Sequence, residues 1–313
     1  MSTVFGFDDG VARRELVAAV SCRLLIVSFC FALVGARAGE RIVSLAPSVT
    51  ETILALGLED RLIARTRYCP GADRAGLAIF DDMVQPSVER LLGLRPDLIL
   101  ASDPTPEAVV TQLRRVRLRV ERLPTSNLAS VVANLRRTGE WLGVPEKGEA
   151  LAKGVETQVA EVERLASRVA PEERPRTVLF YGTDTAFCAG AGSFTGELLE
   201  RAGGRNVAAE ADTAWPPLNR ERLLSWNPEV ILISLTEDPA DLVAARTAVA
   251  RWKEDVIWSR SAAVKSGRIV FIGGSLLMIP GPRVGKAALA VAEALHPGLI
   301  SGAHSDELHF LQP

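Results

Sequence analysis

The sequence predicts an α/β protein of two similar lobes, each with a mainly parallel sheet, joined by one long, rigid α-helix. A repeat is the first observation: residues 89–102, ERLLGLRPDLILAS, return as residues 221–234, ERLLSWNPEVILIS, identical at eight of fourteen positions. Helix and strand patterns alternate in each half, which favours parallel sheets. Between the halves, residues 146–170 contain no proline and repeat their apolar residues at helical spacing.

Length and composition suit two globular domains. The chain has 313 residues, of which 48% are hydrophobic and 24% charged, values typical of globular proteins. Its formal net charge of −2 excludes nucleic acid as the expected partner, because neutralising phosphates requires a basic surface.

Residues 1–38 predict a secretory signal peptide. An apolar run, residues 24–35, follows several arginines and precedes Ala36-Arg37-Ala38, a small-x-small cleavage pattern. The run is short for a stable membrane anchor, although an uncleaved anchor is the alternative. Cleavage would leave Cys69 and Cys188, and their positions in different halves favour free thiols over a disulfide.

Residues 39–145 predict the N-terminal lobe. Residues 41–45 alternate and are rich in β-formers, so they predict a strand, and we expect Ser48 or Thr50 to cap the helix that follows. The first repeat copy adds a short helix that stops at Pro96 and an almost wholly apolar strand, typical of parallel sheets covered on both faces. This alternation predicts a Rossmann-like α/β lobe.

Residues 146–171 predict the bridging helix, and about 25 helical residues would span about 37 Å. Since the segment is neither short nor rich in Gly and Ser, it predicts a stiff link and lobes that tilt only slightly. Residues 172–298 predict a C-terminal lobe on the same plan, with Ser193 or Thr195 capping its first helix. Residues 299–313 form a tail beyond the last predicted helix.

Enzyme signatures are missing from the sequence. GAGSFTG, residues 190–196, is one residue too long for a dinucleotide-binding fingerprint. It predicts instead a loop whose glycines let its backbone pass close to another group. His296, His304 and His309 all lie near the C terminus, which argues against a catalytic or metal-binding histidine in the core. We therefore expect a binding protein without a catalytic cofactor; a secreted enzyme or chaperone acting on a metallo-ligand is the alternative.

Ligand sites in such folds favour domain interfaces and the carboxyl ends of parallel strands. The loops at these places contain an appreciable share of a sparse aromatic set. The candidate ligand-binding residues are Pro47, Ser48, Tyr68, Asp103, Phe187, Trp215 and Arg283.

The chain resembles the periplasmic substrate-binding proteins for vitamin B12, haem and iron-siderophores, the helical-backbone class that serves ABC importers. The resemblance covers about residues 40–298. It is carried by RIVSLAPSVTETILALG, PSVERLLGLRPDLILAS, the bridging helix, AGAGSFTGELLERAGGRNV, WPPLNRERLL and GPR. The resemblance implies a periplasmic monomer that binds a small molecule and meets the membrane only through a permease dimer with its ATPase subunits.

The resemblance also implies a role for the glutamates that open the repeat copies. In this family one acidic residue on each lobe docks against arginines of the two permease subunits. By motif match these residues are Glu89 and Glu221. The alternative is that both are first-turn residues favoured by the helix dipole.

Three ligand classes follow from the resemblance. Trp215 and the sequence around Tyr68 are similar to those of the B12 binders, whereas Met83 replaces a cleft aromatic and the stretch before Arg283 lacks an acidic residue. Haem would require an iron ligand, for which Tyr68 is the cleft candidate. Siderophore binders offer several basic residues, and here Arg67 and Arg283 are the nearest. The candidate cleft residues carry few charges, which favours cobalamin as the ligand, with haem and a ferric siderophore as alternatives.

Overall fold

A computed structural model describes residues 40–69, 76–183, 187–236, 238–298 and 308–311. The predicted signal peptide, residues 1–38, and most of the predicted tail lie outside the described residues. Within those ranges, no helix combines the length and the hydropathy that crossing a membrane requires.

The N-terminal lobe is built on a five-stranded sheet in which every pairing is parallel. Its strands are β1 (Ile42–Ser44), β2 (Leu62–Thr66), β3 (Ala78–Phe80), β4 (Leu98–Ser102) and β5 (Val120–Leu123). They lie in the order β3-β2-β1-β4-β5. The helices of this lobe are α1 (Pro47–Ala55), α2 (Val88–Leu94), α3 (Glu107–Arg115) and α4 (Leu128–Trp141). All carboxyl ends of the strands therefore point to one edge of the sheet.

One helix, α5 (Pro145–Ala166), connects the lobes. It ends five residues before the bound of 171 expected from the sequence. Pro171 excludes a helix as far as residue 171, because a residue before proline avoids the helical conformation, and Ala170 is extended with ψ of 145°. The buried face of α5 belongs to an apolar cluster that also includes α4 and the second lobe.

The C-terminal lobe has a six-stranded, mainly parallel sheet. Its strands are β6 (Arg176–Tyr181), β7 (Phe187–Cys188), β8 (Arg205–Asn206), β9 (Val230–Ser234), β10 (Ile269–Ile272) and β11 (Leu308–Leu311). They lie in the order β11-β10-β9-β6-β7, with β8 also paired to β6. Only β7 and β11 pair antiparallel among the described strands. The helices are α6 (Phe194–Arg201), α7 (Arg220–Trp226), α8 (Pro239–Glu254), α9 (Ala262–Ser266) and α10 (Val284–Leu295).

The capping predictions have different outcomes in the two lobes. Ser193 caps α6 as predicted, because its Oγ accepts a hydrogen bond from Gly196 N at 3.0 Å. The prediction for α1 is wrong: Pro47 occupies the first turn, so Ser48 and Thr50 lie inside the helix. Proline at that place needs no hydrogen-bond acceptor for its nitrogen, which lets the helix begin before either hydroxyl.

The two cysteines of the described residues are free and buried, one in each lobe, as predicted. Cys69 Sγ lies 3.2 Å from Thr66 Oγ1. Burial raises the pKa of the Cys188 thiol to about 12. The Cys188 thiol is therefore not poised to react at neutral pH.

Candidate ligand-binding cleft

A cavity of about 860 Å³ lies between the lobes, at the carboxyl ends of their strands. Its size is that of a small-molecule site. Five of the seven ligand-binding residues predicted from the sequence line it: Pro47, Ser48, Tyr68, Asp103 and Trp215. Phe187 and Arg283 are not among the residues of the lining.

Tyr68 stands on the N-terminal side of the cleft, in the turn after β2. Its side chain is 50% exposed. Arg67 Nη2 donates a hydrogen bond to the Tyr68 hydroxyl at 3.0 Å, and the same guanidinium lies 5.1 Å from the ring centroid. Met83 lines the cavity nearby, and its carbonyl accepts from Thr105 Oγ1 at 2.8 Å. The phenol ring is therefore oriented by its neighbour while one side stays open to a ligand.

Asp103 is the one charged side chain among the described residues that line the cavity. Its Oδ2 accepts hydrogen bonds from Thr125 N at 2.5 Å and Thr125 Oγ1 at 3.1 Å. Arg122 Nη2 lies 3.2 Å from Asp103 Oδ1. The carboxylate is thus balanced by protein groups, and the cleft offers little net charge to a ligand.

Trp215 stands on the C-terminal side, on a segment held against the Gly-rich loop. Cys188 N donates to Pro216 O at 2.8 Å and Gly190 N donates to Ala214 O at 3.0 Å. A Cβ on Gly190 would lie 2.3 Å from the carbonyl oxygen of residue 213, so only glycine permits this approach. The close passage predicted for residues 190–196 is therefore made to the segment that presents Trp215. The indole is 44% exposed.

The sequence did not single out several residues that complete the cleft. Tyr181 packs its ring 5.6 Å from that of Trp215, and its hydroxyl contacts Thr195 Oγ1 at 2.7 Å. Burial raises the pKa of the Tyr181 phenol, so it stays protonated. The other residues missed are mostly hydroxylic or apolar: Ser102, Pro104, Thr125, Ser126, Gly192, Ser193, Phe194, Ala214, Thr236, Ser275, Met278, Ile279 and Pro280. Six of them share a signal, a position at the end of a strand or within three residues after it: Ser102, Pro104, Thr125, Ser126, Thr236 and Ser275.

The structure does not bring Phe187 and Arg283 together with the other five predicted residues. Phe187 lies on β7, is 55% exposed and pairs with Tyr181 and Pro217 along the backbone. Arg283 donates hydrogen bonds from its guanidinium to Glu51, on the other lobe, and is not part of the lining.

Glu89 and Glu221 lie outside the cleft lining. They are exposed and stand in the first turns of α2 and α7. Ser87 Oγ donates to Glu89 Oε2 at 3.3 Å. Within the described part of the chain neither glutamate forms an ion pair, so both present their charge to solvent.

The model of the family described as periplasmic binding protein matches residues 42–276. A vitamin B12-binding protein of Yersinia pseudotuberculosis is 31% identical over 212 residues, covering 67% of this chain and 75% of that protein. The heme-binding protein RhuT of Roseiflexus, in apo form, is similar with a TM-score of 0.71 and 26% identity, over 84% of this chain and 100% of that one. The vitamin B12 binding protein BtuF of Vibrio cholerae has a TM-score of 0.67 and 25% identity, over 82% of this chain and 96% of that one.

The family match extends over both lobes and the helix that joins them. Its members are substrate-binding proteins of ABC importers and are not enzymes. The chain belongs to the periplasmic binding protein family, in the class that includes the vitamin B12, haem and siderophore binders.

Proposed function

We propose that this protein captures a corrinoid, vitamin B12, in the interlobe cleft and delivers it to the permease of an ABC importer. The observation that carries the proposal is the chemistry of the cleft: aromatic rings on both lobes and one balanced charge. Signal-peptide cleavage would make the mature protein periplasmic, as its family is.

A corrinoid suits this lining better than an anionic ligand does. The periphery of cobalamin carries mainly neutral amides, which hydroxyl groups can hydrogen-bond, and the flat macrocycle can pack against the rings of Tyr68 and Trp215. Haem propionates or an anionic siderophore would be buried at a cost unless cations met them. The described lining contains no Arg, Lys or His side chain. The similarity to a vitamin B12-binding protein supports the same ligand.

Haem is the second candidate, and one contact favours it. A tyrosine oxygen is an established axial ligand of haem iron. Tyr68 is exposed to the cleft, and Arg67 donates a hydrogen bond to its oxygen.

Ligand titration tests the proposal directly. Protein purified from the periplasm is mixed with cyanocobalamin, hemin or a ferric siderophore, desalted, and examined by absorbance and calorimetry. We expect retained cobalamin, and a loss of affinity of about tenfold or more in Trp215→Ala because an aromatic contact is removed. Retention of none of the three ligands would exclude the proposed ligand class.

Tyr68→Phe separates the two candidates. Removing the hydroxyl would leave corrinoid affinity nearly unchanged, since the ring remains. Removing an iron ligand would instead shift the Soret band of bound haem and weaken its binding. A strong effect on haem together with no retention of cobalamin would assign the site to haem.

We further propose that Glu89 and Glu221 dock the loaded protein on the permease. Their exposure and their equivalent places in the repeat support the proposal. Two carboxylates on pseudo-symmetric lobes allow a monomer to meet a two-fold permease in one orientation. Exposed carboxylate–arginine pairs contribute orientation and association rate more than affinity.

A further inference from the structure

We infer that Glu51 and Arg283 form an inter-lobe latch that sets the relative position of the two cleft walls and thereby the ligand affinity. Both are positioning residues, since neither lines the cleft. The affinity part of this inference rests on the proposed ligand capture; the geometric part stands on the contacts alone.

The latch joins residues 232 positions apart. Arg283 Nη2 and Nε donate to Glu51 Oε1 at 2.5 Å and 3.1 Å. The Glu51 side chain is only 9% exposed, and that of Arg283 26%. Low exposure strengthens the attraction and makes either charge costly without the other. The pair therefore holds a defined geometry, unlike an exposed surface pair.

Each end of the latch is tied to one wall of the cleft. Glu51 lies on α1 three residues after Ser48, about 4.5 Å along the helix axis. Arg283 Nη1 donates to Gly274 O at 2.8 Å, in the loop whose residues 275 and 278–280 line the opposite wall. A shift at the latch therefore moves both walls.

The backbone around the latch leaves little freedom. A Cβ on Gly281 would lie 3.3 Å from Glu51 Oε2 and 3.5 Å from Ser48 Cα, so the lobes approach closely here. Ser275, in the loop that Arg283 holds, has a left-handed backbone with φ of 54°. Such a conformation costs energy and persists where surrounding contacts impose it.

A second cavity, of about 640 Å³, lies next to the latch. Glu51 and Arg283 line it together with α1, α5 and the start of α10. The lobes also meet through the apolar cluster of α4, α5 and α10, and through Leu128 N donating to Glu197 Oε2 at 2.8 Å. The Leu128–Glu197 contact joins α4 to α6, whereas the apolar cluster reaches Val284, the residue after Arg283. The latch therefore adds a polar, charged contact to an end of α10 that apolar packing already holds on its other side.

The decisive variant is E51L/R283M, with R283M beside it. Replacing both partners of a buried pair by apolar residues preserves stability in many proteins, whereas removing one partner leaves a charge uncompensated. The double variant therefore keeps the fold testable even if R283M does not fold. R136M is the matched control, since it removes an arginine bound to Glu149 and Glu156 between α4 and α5.

Pulsed electron paramagnetic resonance measures the lobe positions. Spin labels are attached to cysteines introduced at Gln112 and Val243, which are exposed on α3 and α8, while the native Cys69 and Cys188 are buried. We expect a narrow distance distribution for wild type and R136M and a broader one for E51L/R283M. If E51L/R283M shows the same spin-label distance distribution as wild type, the proposed latch is refuted.

Affinity for cyanocobalamin is measured on the same proteins. If the competent arrangement falls to about a tenth of the population, the dissociation constant rises about tenfold. A broadened distribution with unchanged affinity would overturn the link between latch and binding. Absence of cyanocobalamin binding in wild type would instead count against the proposed ligand, and the distance measurement would still decide the latch.

Discussion

The two copies of the repeat fold into the same unit but lie in different surroundings. The helices α2 and α7 and the strands β4 and β9 begin and end at positions 132 residues apart. Asp97 Oδ2 accepts a hydrogen bond from Arg41 N at 2.8 Å, and Glu229 Oε2 accepts one from Arg176 N at 2.9 Å. In each lobe the acidic residue thus ties the repeat to the first strand of its sheet.

The neighbours of the two units differ. In the N-terminal sheet, β2 and β3 continue the parallel order, whereas in the C-terminal sheet β7 turns back along β6 and β11 closes the other edge. That antiparallel edge leads into the loop that holds the Trp215 segment. The repeat thus specifies the same helix-to-strand scaffold in both lobes, whereas the residues that follow the strands, Asp103 after β4 among them, differ between the two cleft walls.

The strongest test of the comparison reverses the paired charges. We expect E89K/E221K to reduce uptake of labelled cobalamin to background, because the two introduced lysines would repel the permease arginines. Ligand affinity should stay at the wild-type value. Each single reversal should have an intermediate effect. E146K is the control, since Glu146 is also an exposed first-turn residue, on α5. Equal defects in E146K would support the helix-dipole explanation, and normal uptake by the double variant would refute docking.

The buried leucines test whether the two scaffolds are equally packed. Leu91 and Leu223 occupy equivalent positions and are both fully buried. Truncating either to alanine should lower the free energy of unfolding by about 2–5 kcal/mol, through lost transfer energy and the cavity left behind. Chemical denaturation measures the change. A clearly smaller loss at one site would show that one lobe relaxes around the cavity.

The helix caps predict a smaller and unequal effect. Asn219 Oδ1 accepts from Arg222 N at 2.8 Å, whereas Ser87 Oγ accepts from Arg90 N at the longer distance of 3.3 Å. We expect N219A to cost about 1 kcal/mol and S87A about half of that. Thermal unfolding of both variants provides the measurement. A larger loss of stability in S87A than in N219A would mean that the length of the capping hydrogen bond does not govern the loss.

The smallest effect concerns the residues that end the two helices. Arg95 and Asn227 both have left-handed backbones, with φ of 49° and 38°. Asparagine tolerates this conformation better than arginine does. R95N should therefore stabilise the protein by about 0.5 kcal/mol. R115N, at an exposed right-handed position that ends α3, should give no gain, and a gain of equal size there would remove the backbone explanation.

Much of the cleft could be predicted because it follows strand ends, which apolar runs reveal. Pro47, Ser48, Tyr68 and Asp103 follow strands β1, β2 and β4, whereas Trp215 was predicted from its loop and from the resemblance. Phe187 and Arg283 were placed in the same loops but do not join the lining. Their side-chain directions depend on partners in other elements, and loop membership alone carries no information about direction.

The duplicated lobes, the mainly parallel sheets and the helix between them can be predicted from the sequence. They follow from periodicity and from breaker residues, which act over a few neighbouring positions. Three features are visible only in the folded chain: Arg283 meets Glu51, Gly190 admits the Trp215 segment, and residues 308–311 add a strand to β10. Each of these joins residues far apart in the chain, and a long-range contact leaves no local pattern from which it could be predicted.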